Sequence, residues 1–218
     1  MRPAITLLAL LLTSYLTLYG QAQKVPVTDQ EAVKVLDRFS KASLDAPSVS
    51  MKFRLVTDNQ QENSSDTLIG SIILSRDKYK LELPDNQIWF NGETSWSYLP
   101  AEKEVTITKA DKKDNSFQNK PSAIFTMYKS GYRCRLIEEK GDYYLIDLYP
   151  EDIKSDILRV RLLIGKTLLN LRNLEYKRRD GVAITLIISE FNLKTKPEQD
   201  TFVFKPEKYK GVDVIDMR

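Results

Sequence analysis

The sequence predicts a mainly β protein, an antiparallel barrel or sandwich with two helices, and three observations lead there. Apolar and polar residues alternate at period two in roughly eleven short runs. Clusters of Asn, Asp, Gly and Pro separate those runs at hairpin spacing. Only two stretches carry apolar residues at helical spacing. With 218 residues the chain is long enough for one sizeable core and too short to require two.

The first helix is predicted after Asp29, a suitable N-cap, with Ala32, Val35, Leu36 and Phe39 opposite Glu31, Lys34 and Arg38. Asp45, Ala46 and Pro47 end it, because the residue before a proline is pushed out of the helical region. A strand follows with Val49, Met51, Phe53 and Leu55 on one parity, and the polar tract 58–66 reads as its hairpin loop. Residues 68–100 hold several strands around polar turns: Ile72 and Leu74, then Tyr79, Leu81 and Leu83, then Ile88 to Phe90, then Trp96 and Tyr98 after Asn91-Gly92. Val105 and Ile107 extend this sheet. A charged loop is expected over 110–120, and Pro121 suits the first turn of a second helix carrying Ile124, Phe125 and Tyr128 to about Lys129. Strands resume over 132–137, 143–149, 158–164, 168–176 and 182–191, and the tail 201–218 supplies a short strand and an extended end.

Composition excludes more than it suggests. Formal charge is +3, from 33 basic and 30 acidic residues, and the charges are scattered, so no nucleic-acid-tracking stripe exists. There is no histidine and one cysteine, Cys134. Imidazole-dependent triads and histidine or multi-thiolate metal sites are therefore ruled out. The eight glycines form no phosphate-cradling pattern. The paired acids Glu138-Glu139 and Glu151-Asp152 are adjacent, so on a strand they point to opposite faces. No catalytic residue, cofactor or metal is expected, and the chain reads as a binder rather than an enzyme.

Residues 1–22 resemble a secretory signal. Arg2 is a positive start, residues 5–18 are apolar with interruptions at Thr6, Thr13, Ser14 and Thr17, and Gly20 and Ala22 suit cleavage. The expected product is residues 23–218, one domain, exported as a soluble protein. Cys134 shares the parity of Tyr132 and Leu136 and reads as a small buried hydrophobe.

The apolar and aromatic area of 68–100 suggests the wall of a pocket for a hydrocarbon ligand, since each buried methylene contributes ~0.8 kcal/mol. A filled core would show the same alternation. The candidate lining is Leu36, Phe53, Ile72, Leu74, Tyr79, Leu81, Leu83, Trp96, Tyr98, Ile124 and Phe125. Arg76 shares the parity of Ile72 and Leu74 and would stand at the rim.

Four motifs, in order along the chain, resemble those of the outer-membrane lipoprotein carriers. Gly70 to Arg76, followed by Tyr79, Leu81, Leu83 and Pro84, is similar to the family's G-x-L-x-V-K-R-P segment. Asn91, Gly92, Trp96, Tyr98 and Pro100 resemble D-G-x-x-x-W-x-Y-x-P. Pro121, Ile124 and Phe125 stand where the family has a P-x-x-L-L helix. Phe202, Phe204 and Pro206, then Gly211, Val212, Val214 and Asp216, resemble its F-x-F-x-P…G-V-x-V-x-D ending. Asp77 departs from the proline of the first motif, and Leu81 is not aromatic. The resemblance implies an unclosed antiparallel barrel whose concave apolar face is covered by helices as a lid, with Arg76 latching that lid to helix carbonyls. It also implies a monomer that carries lipoprotein acyl chains through the periplasm. An inner-membrane ATP-driven release complex would load it, and an outer-membrane receptor would unload it. A lipoprotein-sensing domain of envelope-stress regulators, or a carrier of another lipid or pigment precursor, would share these features.

Overall fold

The computed structural model describes residues 28–110 and 120–218. The expected signal segment and most of the charged loop therefore lie outside the described residues. One α-helix and twelve strands are present: α1 (Gln30–Asp45), β1 (Val49–Asn59), β2 (Ser64–Ser75), β3 (Lys78–Glu82), β4 (Gln87–Phe90), β5 (Thr94–Leu99), β6 (Glu104–Lys109), β7 (Tyr132–Lys140), β8 (Tyr143–Pro150), β9 (Ile157–Gly165), β10 (Leu171–Arg178), β11 (Val182–Asn192) and β12 (Asp213–Asp216). They form a single sheet in the order β12-β6-β5-β4-β3-β2-β1-β11-β10-β9-β8-β7. Its ends, β12 and β7, do not meet, so this is the unclosed barrel that the resemblance implied.

α1 forms where its local signals place it. The Asp29 carboxylate accepts from the Glu31 N–H at 2.9 Å, and the chain leaves the helix at Ala46, in extended geometry before Pro47. Its apolar face, Ala32, Val35, Leu36 and Phe39, is fully buried against the concave side of the sheet. There it joins one cluster running from Tyr79 on β3 through Phe53 and Leu186 to Ile146 and Cys134 at the far edge.

Three expectations require correction. Residues 121–129 are not a second α-helix but two 3₁₀ turns, Pro121–Phe125 and Met127–Lys129. Backbone bonds run from Ala123 N to Lys120 O, from Thr126 N to Ala123 O and from Lys129 N to Thr126 O. So short a run cannot offset the cost of nucleating an α-helix, and Thr126, at φ −129°, breaks it. The polar tract 58–66 is not all loop. β1 and β2 stay paired out to Asn59↔Ser64, because the ladder uses backbone groups and Ser65 Oγ donates to Asp58 across it. The tail's strand is β12, beyond Phe202 and Phe204, and it lies parallel to β6 in an otherwise antiparallel sheet.

Candidate functional site

The concave face is built by parity. Leu74 pairs with Tyr79 and Ile72 with Leu81 across β2 and β3; Tyr79 then pairs with Phe90 and Leu81 with Ile88 across β3 and β4. Leu36, Phe53, Ile72, Leu74, Tyr79, Ile124 and Phe125 are all buried in the concave cluster, and Leu81 and Leu83 pack against it half-buried. The 3₁₀ turns lie beside α1, with the Phe39 and Phe125 rings edge-on at 5.7 Å between centroids. Burial raises the Tyr79 phenol above its ordinary value.

Gly70 explains one motif position. It faces Phe53 across the β1–β2 ladder, and a Cβ there would lie 2.8 Å from Phe53 Cζ, 2.7 Å from Leu83 Cδ2 and 2.9 Å from Glu82 O. Only a residue without a side chain lets these groups close the sheet floor.

Trp96 and Tyr98 are elsewhere. Trp96 pairs with Trp89, which pairs with Lys80, and this row lies on the opposite, convex face from Tyr79 and Phe90. With Trp89 and Val105 they form a separate cluster sealed by Phe204, Tyr209 and Val212 of the C-terminal segment. Tyr209 packs at 4.8 Å from Tyr98 and 4.8 Å from Phe204. Their aromatic character serves to hold that segment against the back of the sheet. Ile88 and Phe90 take their place on the concave side, together with Tyr176 and Ile188.

Arg76 occupies the two-residue turn between β2 and β3 with φ +54°, a left-handed conformation suited to such turns. Its side chain is exposed and makes no hydrogen bond or ion pair with another described residue. The latch bonds expected from Arg76 to helix carbonyls are thus not formed in this structure. It stands instead at the rim of a small open cleft at the C-terminal end of α1, with Ser43, Val49, Leu74, Ser122 and Phe125.

The polar bonds that pin α1 lie at its N-terminal end and midway along it. The Asp29 N–H donates to Cys134 O at 2.8 Å, and its second carboxylate oxygen accepts from the Leu136 N–H at 3.3 Å. Asp29 thereby caps the helix and fills part of the open edge of β7. Tyr128 donates its hydroxyl to Asp37 at 2.5 Å, and Arg38 donates to the Tyr144 hydroxyl at 3.2 Å. Burial, then the Asp37 carboxylate, holds the Tyr128 phenol far above its ordinary value, so it remains a donor at neutral pH. The cap at Asp29 is legible in the sequence, but its bond to Leu136 and the Asp37–Tyr128 pair are revealed only by positions across the fold.

Cys134 is buried, and its thiol contacts Tyr128 O at 3.9 Å. Burial and the nearby Asp29, Asp37 and Glu151 push it up to about 11, so it is a neutral core group at physiological pH. Among the described residues no cluster of acidic or thiol side chains could hold a metal, and no helix is long and apolar enough to cross a membrane.

A curved, unclosed sheet whose apolar hollow is capped by one pinned amphipathic helix defines a class: the open barrels with a helical lid. Within it, the chain belongs to the family of the outer membrane lipoprotein carrier protein LolA, whose model matches residues 22–173. Among solved structures it is similar to an uncharacterized conserved protein from Thermus thermophilus, at 14% identity and TM-score 0.57 over 86% of this chain and 99% of that one. That likeness shows the shared fold. A LolA superfamily protein from Nitrosomonas europaea matches at 13% identity and TM-score 0.41, over 84% of this chain and 100% of that one. The Mycobacterium tuberculosis lipoprotein LppX matches at 12% identity and TM-score 0.42, over 77% and 98%. No curated protein matches the chain.

Proposed function

We propose that this protein is a periplasmic carrier that shelters the acyl chains of lipoproteins between α1 and the concave face of the sheet. The observation that carries the proposal is the way the apolar face is closed. Beyond the burial of its apolar face, α1 is held by a few polar bonds, at Asp29 at its N-terminal end and at Asp37 and Arg38 midway along it, and its C-terminal end runs into β1 through the short 46–48 connector. A filled core needs no such releasable cover, whereas a carrier must exchange its own apolar lid for the ligand's chains. The trade is nearly isoenergetic in apolar area, so modest polar bonds suffice to set which state wins.

In this reading, Leu36, Phe53, Ile72, Leu74, Tyr79, Leu81, Leu83, Ile124 and Phe125 line the acyl site, joined by Ile88 and Phe90. Loading by an inner-membrane ATP-driven release complex and delivery to an outer-membrane receptor belong to the same proposal. The protein acts there as a binder, without a chemical step. The test is purification from its own periplasm followed by mass spectrometry of bound material. Lipoprotein bearing intact acyl chains is the expected finding. A free lipid or pigment precursor in its place would make the protein a carrier of another cargo, and recovery without any amphiphile, coupled to failure to bind fluorescent fatty acyl probes, would overturn the reading.

A further inference from the structure

The cleft at the C-terminal end of α1 combines features that apolar packing alone does not explain. Its floor is Val49, Leu74 and Phe125, all within the concave core. Its polar wall is Ser43 on α1, Ser122 on the 3₁₀ turn and Arg76 on the β2–β3 turn. Ser43 is 4% exposed, yet its hydroxyl has no hydrogen-bond partner. A buried hydroxyl left without a partner is costly and calls for an explanation. Alanine at that position would spare the cost and favour the helix. Arg76 likewise makes no hydrogen bond or ion pair with another described residue. Three residues with hydrogen-bond donors thus line the point where the apolar core reaches the surface.

We infer that this cleft is a subsite for the ester or amide carbonyl of an acyl chain, with Ser43, Ser122 and Arg76 donating to its oxygen while the hydrocarbon continues over Leu74 and Phe125. The subsite rests on the acyl-carrier reading above and adds the recognition of the linkage to it. The donor set suits a carbonyl oxygen, the Arg76 charge being offset in part by the negative end of α1, where Asp45 is itself paired with Lys41 at 2.6 Å. In the closed structure the cleft has about 20 Å³ of room, enough for one water-sized guest, so a carbonyl enters as α1 shifts.

The test compares two amphiphiles of equal chain length by fluorescence displacement on the full mature protein: a diacylglycerol ester and its dialkyl ether, which lacks the carbonyl. The wild type should prefer the ester by roughly two- to tenfold, the range of one net hydrogen bond. Ser43→Ala should abolish most of that preference and leave ether affinity unchanged. Its thermal midpoint should stay the same or rise, which a merely structural serine would not show. Arg76→Gln is the second variant and should also reduce the preference. Equal ester and ether affinity in the wild type would overturn the subsite, as would a preference surviving in Ser43→Ala, which would mean that the hydroxyl serves only a trapped water. Failure to bind either amphiphile would instead overturn the carrier reading itself.

Discussion

Replacing Tyr128 with phenylalanine isolates the energy that keeps the lid shut. The ring remains to pack in the core, while the 2.5 Å donation to Asp37 is removed. A hydrogen bond to a charged acceptor contributes ~1.5–3 kcal/mol when sheltered. Asp37 is exposed, and water competes for its carboxylate, so the figure is discounted to about 1 kcal/mol. If α1 must lift for a ligand to enter, that amount raises the population of the open state about fivefold, and the apparent Kd for an acyl chain falls by the same factor. The assay is stopped-flow association of a fluorescent fatty acyl probe, read beside urea unfolding. Tyr128→Phe should bind the probe about fivefold more tightly and lose about 1 kcal/mol of stability. A loss of stability with unchanged probe affinity would refute the lid argument and leave Tyr128 as an ordinary packing contact.

Three further outcomes follow from the same structure. Gly70→Ala forces a methyl against Phe53, Leu83 and the Glu82 carbonyl; after allowing for the gain from a stiffer unfolded chain, urea denaturation should show a loss of about 1–2 kcal/mol. On the convex face, Asp147 is 1% exposed and accepts two bonds from Arg161 at 2.7 and 2.8 Å and one from Tyr149 at 3.0 Å. Asp147→Ala should cost roughly 2–3 kcal/mol, below the full value for a buried pair because Arg161 is 32% exposed, and an unaltered melting temperature would contradict it. Cys134 should resist iodoacetamide at pH 8 in the folded protein and react in urea. Its folded-state value of about 11 exceeds the ordinary 9, so the unfolded chain loses this proton first. Its contribution to stability is therefore complete below pH 9 and is lost as pH rises towards 11; a folded thiol alkylated as fast as the unfolded one would show that this shift is absent.

Local chemistry made α1 legible: Asp29 and Pro47 act on their own neighbours, and Ala32, Val35, Leu36 and Phe39 require a surface whatever its identity. Strand alternation was legible too, but alternation does not say which face a strand presents. Trp96 and Tyr98 look as suitable for an apolar hollow as Tyr79 does. Their true place depends on pairing with Trp89 and on Phe204 and Tyr209, more than a hundred residues away, folding across the convex side. The 3₁₀ turns escaped notice because Pro121, Ile124, Phe125 and Tyr128 have helical spacing, while helix length is set by the balance of nucleation and packing. The long β1–β2 ladder escaped because its polar end is held by backbone bonds, which side-chain patterning does not report. The role of Asp29 was half visible: its cap is local, and its bond to Leu136 spans 107 positions.

The most direct test of an acyl site beneath α1 is photo-crosslinking from each face of the sheet. A photoreactive phenylalanine analogue placed at Tyr79 or Phe125 on the concave side, or at Trp96 on the convex side, would be irradiated in protein loaded with a lipoprotein carrying labelled acyl chains. Labelling should appear from Tyr79 and Phe125, should be competed by unlabelled acyl lipid, and should be absent from Trp96. Labelling from Trp96 with silent concave positions would contradict the account and move the ligand to the other side of the sheet.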